Sequence, residues 1–160
     1  MHHYRIFADY FQFHLQDEAA DGNLSEAWTE EAVTRLLAVA PGTVGIGTVR
    51  NMDVPVTLEI LSSAPQIDLE AWDHIVECSL AATSSKLVIA GCTDYLPDAE
   101  RIPVESGNYR VRVNFADLSS LSQDGLEGDD RYHLQLWLGT ATEPFVVKQR
   151  ATYPSTGTCQ

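Results

Sequence analysis

Two stretches in the second half of the chain alternate strictly between apolar and polar residues. In the first, apolar side chains recur at every second position from Tyr109 to Phe115, and in the second from Tyr132 to Leu138. Because successive side chains of a β-strand point to opposite faces, this period of two predicts two strands that each bury one face. The segment between them, residues 122–130, is rich in Asp and Glu. We therefore predict a pair of strands connected by an acidic loop.

Shorter runs with strand character fill most of the remaining sequence. They are residues 5–15, 44–51, 54–60, 72–80, 87–92, 102–105 and 145–149, and polar or Gly/Pro-containing turns separate them. The run at 5–15 has aromatic residues on both faces, which predicts a strand that is covered on two sides. In the run at 44–51, Gly45 and Gly47 share one face, which indicates either a closely packed neighbour or a bulge.

One segment has the pattern of an amphipathic helix. Thr29 is a suitable N-cap, and Glu30 and Glu31 place negative charge in the first turn, where the helix dipole favours it. An apolar stripe follows at positions i, i+3, i+4 and i+7, formed by Val33, Leu36, Leu37 and Ala40. The Pro-Gly pair at 41–42 ends the pattern. The sequence thus predicts a helix over residues 29–40.

These elements predict one mainly β domain. The chain has 160 residues, a typical length for a single domain, and its 44% hydrophobic content supports a core without disulfides or metals. Short strands separated by turns favour a single-domain antiparallel β-sandwich with one short α-helix. We expect the sandwich to span residues 1–151 and residues 152–160, rich in Thr, Pro, Gly and Ser, to form a flexible C-terminal tail.

The charge balance narrows the classes of partner. The chain has 23 Asp and Glu residues against 10 Lys and Arg, a formal net charge of −13. Repulsion from phosphate argues against direct binding to nucleic acid or to an anionic membrane surface. The charge suits a basic protein partner or a cation, although solubility alone would also explain it. No signal peptide or transmembrane run is visible, so we expect a cytoplasmic protein with free thiols.

The acidic loop contains a cluster of candidate binding residues: Asp124, Glu127, Asp129 and Asp130. Three interpretations are open, namely contact with a basic protein, binding of a divalent cation, and a solvated loop without a ligand. Calcium takes six or more oxygen ligands, but the spacing here does not match that of an EF-hand loop. We predict a protein contact, with no metal and no cofactor.

Cysteine and histidine residues form no recognisable catalytic or metal motif. His74 and Cys78 are four residues apart on a predicted strand, so their backbones are separated by about 13 Å and they do not easily share one ion. Zinc sites also favour Cys-x-x-Cys spacing, which is absent. Cys92 with a distant histidine stays open as a nucleophile and base, but no hydrolase or nucleotide-binding motif accompanies it. We expect buried, structural thiols and no enzyme.

Three ordered segments of the first third resemble the competence protein J (ComJ) family. They are Tyr10-Phe11-Gln12-Phe13, Trp28-Thr29-Glu30-Glu31-Ala32 at the start of the helix, and a strand ending in Arg50-Asn51, with a weaker similarity at Ser106-Gly107-Asn108-Tyr109-Arg110. The resemblance covers about a third of the chain. It implies a small intracellular inhibitor of a DNA-entry nuclease, not a catalyst. The shared residues have a structural character, so the resemblance identifies no inhibitory residue.

We therefore predict an acidic binding protein that blocks a cationic partner protein, such as a nuclease. The predicted contact residues are Asp124, Glu127, Asp129 and Asp130, together with Asp94 and Asp98. The alternative is a small-molecule or metal-binding β-sandwich, which would have a deep pocket lined by His14, His74 or Cys92. A third alternative is a self-associating structural protein.

Overall fold

The computed structural model describes residues 1–151, which form eleven β-strands, one α-helix and two short 3-10 helices. The strands are β1 (His2–Phe7), β2 (Gln12–Asp17), β3 (Leu37–Ala40), β4 (Thr43–Gly47), β5 (Asp53–Leu61), β6 (His74–Ala82), β7 (Lys86–Gly91), β8 (Glu100–Pro103), β9 (Gly107–Ala116), β10 (Arg131–Leu138) and β11 (Phe145–Lys148). The helix α1 is Glu30–Arg35, and the 3-10 helices are Asp9–Phe11 and Leu96–Asp98. The predicted tail at 152–160 lies outside the described residues.

The strands of residues 1–151 build two sheets, which confirms the mainly β prediction. One has six strands in the order β1-β5-β10-β9-β6-β11, and the other has five in the order β3-β4-β2-β7-β8. Strands β5 and β10 run parallel, so the sandwich is not antiparallel throughout. They are distant in sequence, and no hairpin turn forces them to run in opposite directions. In the described part of the chain, no helix has the length and hydrophobicity needed to cross a bilayer.

The main core fills the space between the two sheets. The predicted pair β9 and β10 is antiparallel, with Tyr132 opposite Phe115, and the apolar face of each strand is buried as expected except at Leu138, which is 44% exposed at the end of β10. Tyr132 packs edge-on against Phe115 and against Phe13 of the facing sheet, with ring centroids 5.6 and 6.0 Å apart. Such edge-to-face contacts suit aromatic quadrupoles and lock the two sheets together.

The first predicted strand, residues 5–15, is in fact two strands that belong to different sheets. Between them, Tyr10 (φ 58°) and Phe11 (φ 59°) adopt the left-handed region, where the chain passes from β1 to β2. Non-glycine residues in this region cost about 1–3 kcal/mol each and persist only where the surroundings impose them. Residues 5–15 contain no Gly or Pro that would have marked this corner as a turn.

The predicted helix at 29–40 is half as long as expected. Thr29 is the N-cap, with its Oγ1 accepting from the backbone N–H of Ala32 at 3.2 Å, as predicted. Leu36 (φ 61°) ends the helix, and the next residues form β3, which pairs with β4. The helical spacing of the apolar residues was misleading because the last of them serve a strand. Val33, predicted to face the core, is 57% exposed.

A second, smaller core lies on the outer face of the five-stranded sheet. Leu24, Ala32 and Ala38 are buried there, and Trp28 packs against them. Gly45 makes this packing possible, because a Cβ atom at that position would lie 2.7 Å from Leu24 Cδ1. The glycines of this strand therefore mark a closely packed neighbour, one of the two interpretations considered above.

Asp17, at the end of β2, connects that strand to the turn between β6 and β7. Its carboxylate accepts from the backbone N–H groups of Thr83 and Ser84 at 3.0 Å and from both hydroxyl groups. Burial would raise the pKa of Asp17, but hydrogen bonds from Ser84, Thr83 and Ala19 outweigh it and leave the pKa below its usual value. The ionised form is therefore the one that stabilises the fold.

This hydrogen bonding predicts an acid-sensitive term in stability. A carboxyl group with a lowered folded-state pKa stabilises the protein above its unfolded pKa, about 3.9, and this contribution is lost as pH falls through the folded pKa. We expect Asp17→Asn to be less stable than the parent at neutral pH but to lose less stability on acidification below about pH 4. Urea denaturation at several pH values gives the slope of the free energy of unfolding against pH for the parent and for Asp17→Asn, and Glu18→Gln is the control variant. Equal slopes for parent and Asp17→Asn would contradict this role.

Candidate functional site

One end of the sandwich collects the loops that carry the predicted contact residues. The C-terminal end of β9 and the N-terminal end of β10 lie there, beside the N-terminal ends of β5 and β6 and the C-terminal end of β1. The acidic loop (residues 122–130) therefore extends from the same end as the corner at residues 8–11. Side chains that are distant in sequence meet at this end because strands that are far apart along the chain are paired in the sheet.

The exposed part of the acidic loop is held by its own hydrogen bonds. Asp124 Oδ1 accepts from the Ser122 hydroxyl at 2.6 Å and from the Leu126 N–H at 3.0 Å, and the Glu127 N–H donates to Ser122 Oγ at 3.0 Å. The hydrogen bond from Ser122 is the main reason that the pKa of Asp124 lies below its usual value. Asp124, Glu127 and Asp129 are exposed, and an open groove of about 420 Å³ runs beside the first two. The loop presents exposed carboxylates on a defined backbone.

Asp130 has a different role from the one predicted. Its side chain is fully buried and pairs with the buried Arg50, with 2.7 Å between Asp130 Oδ1 and Arg50 Nε. The Tyr132 hydroxyl donates to its other oxygen at 2.6 Å, and the Val49 N–H donates to that hydroxyl at 3.0 Å. A partner protein cannot reach Asp130, so it anchors the acidic loop instead. The sequence could not reveal this burial because Arg50 is distant along the chain.

Asp94 and Asp98 lie on a loop that follows β7, a strand of the opposite sheet. Both are exposed, and Asp94 Oδ2 accepts from the Gly91 N–H at 2.8 Å. Cys92 is exposed as well, contrary to the expectation of a buried thiol. The pKa of Cys92 is raised mainly by partial burial of its sulfur and, to a smaller extent, by the carboxylates of Asp9 and Asp94. The thiol is therefore protonated at neutral pH and is not activated as a nucleophile.

His74 and the remaining described thiol, Cys78, are buried and structural. His74 Nε2 lies 2.7 Å from the Arg35 carbonyl oxygen, and the Arg150 N–H donates to His74 Nδ1 at 3.0 Å. Burial lowers the pKa of both His74 and His14 and raises that of Cys78 to about 12. Within residues 1–151, no group of three or more His, Cys, Asp or Glu side chains is arranged to hold a metal ion.

No family model and no curated protein matches the sequence. Solved structures do share the fold. The crystal structure of ComJ, inhibitor of the DNA degrading activity of NucA, from Bacillus subtilis, superposes with a TM-score of 0.68 at 16% identity, over 87% of this chain and 96% of that chain. The product of crocagin biosynthetic gene J gives 0.59 at 18% identity, over 86% and 96%. The chain has a ComJ-like fold. The likeness spans most of the chain and not only its first third, because strand topology extends beyond the sequence motifs.

The three main sequence segments that resemble ComJ meet at one place in this ComJ-like fold. The Trp28 indole donates to Gln12 Oε1 at 3.0 Å, and the Phe11 N–H donates to Asn51 Oδ1 at 3.3 Å. Beside them runs an apolar groove of about 300 Å³ that sequence analysis did not find. The aromatic residues on both faces of the first predicted strand were the available signal, since Tyr10 and Phe11 are exposed beside this groove.

A third groove, of about 460 Å³, runs between α1 and β11. Its lining includes Glu30, Arg35 and Phe145. His14, His74 and Cys92 line none of these three grooves, so the grooves do not provide the pocket that the small-molecule alternative requires.

Proposed function

We propose that the protein is a ComJ-type inhibitor that binds a basic nuclease in the cytoplasm and blocks its DNA-binding surface, without catalysing a reaction. The observation that carries this proposal is the fold that the chain shares with ComJ over 87% of its length. The net charge of −13 is the second support, since it suits a partner whose surface is built to bind phosphate.

Electrostatic attraction accounts for the first step of binding. A nuclease surface neutralises DNA phosphates with Lys and Arg side chains. A domain with a large negative charge is drawn to such a surface over several ångströms, and the association rate rises as ionic strength falls. The same charge repels DNA, so the inhibitor and the substrate compete for one surface without binding each other.

The acidic loop supplies the proposed contacts. Asp124, Glu127 and Asp129 are exposed there, and Asp94 and Asp98 extend the negative surface on the opposite sheet. The hydrogen bonds of the loop and its anchor at Asp130 hold the backbone that carries the three carboxylates before the partner arrives. Pre-organisation of this kind reduces the entropy that is lost on binding. The carboxylates would then lie where phosphates of the DNA otherwise bind.

Neutralising the acidic loop tests the contact residues. We expect the triple variant Asp124→Asn, Glu127→Gln, Asp129→Asn to associate with the nuclease about ten-fold more slowly at low salt, because charges at the rim of an interface act mainly on the encounter rate. The assay is inhibition of DNA degradation by purified NucA and by a basic nuclease from the organism that makes this protein. Stopped-flow association at low and high salt gives the rate.

The matched control removes three exposed carboxylates elsewhere, in Asp21→Asn, Glu105→Gln, Glu143→Gln. We expect this control to keep most of the parental rate. If the two variants are slowed equally, net charge acts alone and the contact assignment is wrong. If the parent inhibits neither nuclease, the proposed function itself is wrong.

A further inference from the structure

The apolar groove is bounded by residues from three segments of the chain. Its lining consists of Tyr10, Phe11, Gln12, Trp28, Val33, Leu36, Gly47 and Thr48, none of which carries a charge. Three of these apolar side chains are largely exposed: Tyr10 at 68%, Phe11 at 54% and Val33 at 57%. Exposed aromatic residues grouped around a groove are typical of protein interaction sites and not of ordinary surface.

The backbone at the groove is held in an unfavourable conformation. Tyr10, Phe11 and Leu36 all have positive φ, between 58° and 61°, a region that favours Gly and Asn over bulky residues. Two hydrogen bonds fix the corner: Phe11 N–H to the Ala8 carbonyl at 3.1 Å, and Thr48 N–H to the Phe11 carbonyl at 2.9 Å. The fold therefore presents two aromatic side chains to solvent on a fixed backbone, although other residues would suit that backbone better.

Gly47 lets Leu36 pack closely against β4 at the floor of the groove. A Cβ atom at this position would lie 3.1 Å from Leu36 Cδ2 and 3.3 Å from Leu36 Cα, closer than ordinary packing distance. The volume of about 300 Å³ is sufficient for one large apolar side chain.

Acidic residues adjoin the residues that line the groove. Asp9 precedes the exposed aromatic pair in the same 3-10 helix, and Glu30 and Glu31, which line the third groove, occupy the first turn of α1, close to Val33. Arg50 is paired with Asp130, whereas Arg35 donates only to the neutral Leu37 carbonyl, so these three carboxylates face the single positive charge of Arg35. An apolar groove with a negative rim is complementary to a basic surface that projects an apolar side chain.

The groove and the acidic loop are connected through one short segment. Asn51 accepts from the backbone N–H of Phe11, whereas the adjacent Arg50 holds Asp130 and reaches the Leu126 carbonyl at 3.4 Å. Both features therefore lie at the same end of the sandwich and have a common support. A partner that contacts the acidic loop comes within reach of the groove.

We propose that the groove, with Tyr10 and Phe11 at its edge, is the anchor site of the interface with the basic nuclease. An apolar side chain of the nuclease inserts into the groove, and the aromatic pair packs around it, while the acidic loop forms part of the charged rim. This inference rests on the proposed function and assigns the source of affinity, whereas the acidic loop governs the rate of encounter. Interfaces commonly divide the two roles between a desolvated aromatic centre and a charged rim.

The test replaces the aromatic pair with a residue that suits its backbone. Tyr10→Asn, Phe11→Asn keeps the charge, and because asparagine is favoured at positive φ, the variant should be at least as stable as the parent. We expect its dissociation constant for the nuclease that the parent inhibits to rise about 100-fold. The dependence of its association rate on salt concentration should be the same as that of the parent. Binding to surface-bound nuclease measures the dissociation constant, and a thermal melt measures the stability of the variant.

The control, Ile67→Asn, Leu69→Asn, removes two exposed apolar side chains from another loop and should bind as the parent does. If the parent inhibits the nuclease and Tyr10→Asn, Phe11→Asn inhibits it equally, the anchor site is overturned and the proposed function stands. If sedimentation shows a parent dimer that the variant dissociates, a second copy occupies the groove and the inference is also overturned. If the parent binds neither nuclease, the proposed function and this inference fail together.

Discussion

Replacing Arg50 with alanine is expected to lower the free energy of unfolding by about 3–5 kcal/mol, because it leaves the charge of Asp130 buried without a partner. The Asp130 side chain is fully buried and that of Arg50 is 8% exposed, so water cannot replace the lost interaction. The substitution also removes the contact between the guanidinium group and the Leu126 carbonyl. Urea denaturation followed by circular dichroism measures the loss.

The matched control for Arg50 is Arg131→Ala. Arg131 pairs with Asp117 at 3.5 Å, but both side chains are more than half exposed, and such pairs contribute less than about 1 kcal/mol. Under the proposed function, Arg50→Ala should also weaken nuclease inhibition under conditions where the variant is folded, because the acidic loop loses its anchor. Similar losses of stability in the two variants would show that the buried pair contributes no more than a surface pair.

The second large effect is expected for Glu77→Gln, in the middle of the six-stranded sheet. Glu77 is 3% exposed and binds two guanidinium groups, with 2.7 Å from Oε1 to Arg110 Nη2 and 2.8 Å from Oε2 to Arg112 Nε. Neutralising the carboxylate leaves the buried Arg112 charge uncompensated, so we expect a loss of about 3–5 kcal/mol in the free energy of unfolding. Arg112 cannot move to solvent easily, since it also donates a hydrogen bond to the Pro65 carbonyl and its guanidinium group lies over the Trp137 ring.

Glu18→Gln is the control for Glu77. Its pair with Arg101 has a similar distance, 3.0 Å, but both side chains are about a third exposed, so a loss below about 1 kcal/mol is expected. Chemical denaturation of both variants at one pH and salt concentration gives the comparison. A Glu77→Gln variant as stable as Glu18→Gln would mean that solvent screens the buried cluster.

The Arg50–Asp130 pair and the cluster of Glu77 with its two arginines also show where sequence patterns mislead. Glu77 occupies a position that alternation assigns to the outer face, and it does point away from the core. It is nevertheless buried, because the neighbouring strand β9 places Arg110 and Arg112 against it. Alternation reports the direction of a side chain, whereas burial depends on what another strand or loop places above it.

Local sequence was sufficient to predict the features that depend only on residues close together in the chain. The alternation at 109–115 and 132–138 identified a strand pair, the turn residues marked most strand ends, and Thr29 marked the start of the helix. The exposure of Asp124 and Glu127 likewise follows from a short polar loop between two strands. The acidity of the whole surface needs no structure, because it is a sum over side chains.

Long-range pairing decided the rest. The corner at Tyr10 and Phe11, the early end of α1 and the conversion of residues 37–40 into a strand all depend on partners elsewhere in the two sheets. Asp130 became an anchor and not a contact residue because β5 and β10 run side by side and bring it to Arg50. The sequence by itself determined that the protein is acidic and mainly β. Only the tertiary structure decided which carboxylates remain on the surface and where an apolar groove lies beside them, because both depend on contacts between residues far apart in the chain.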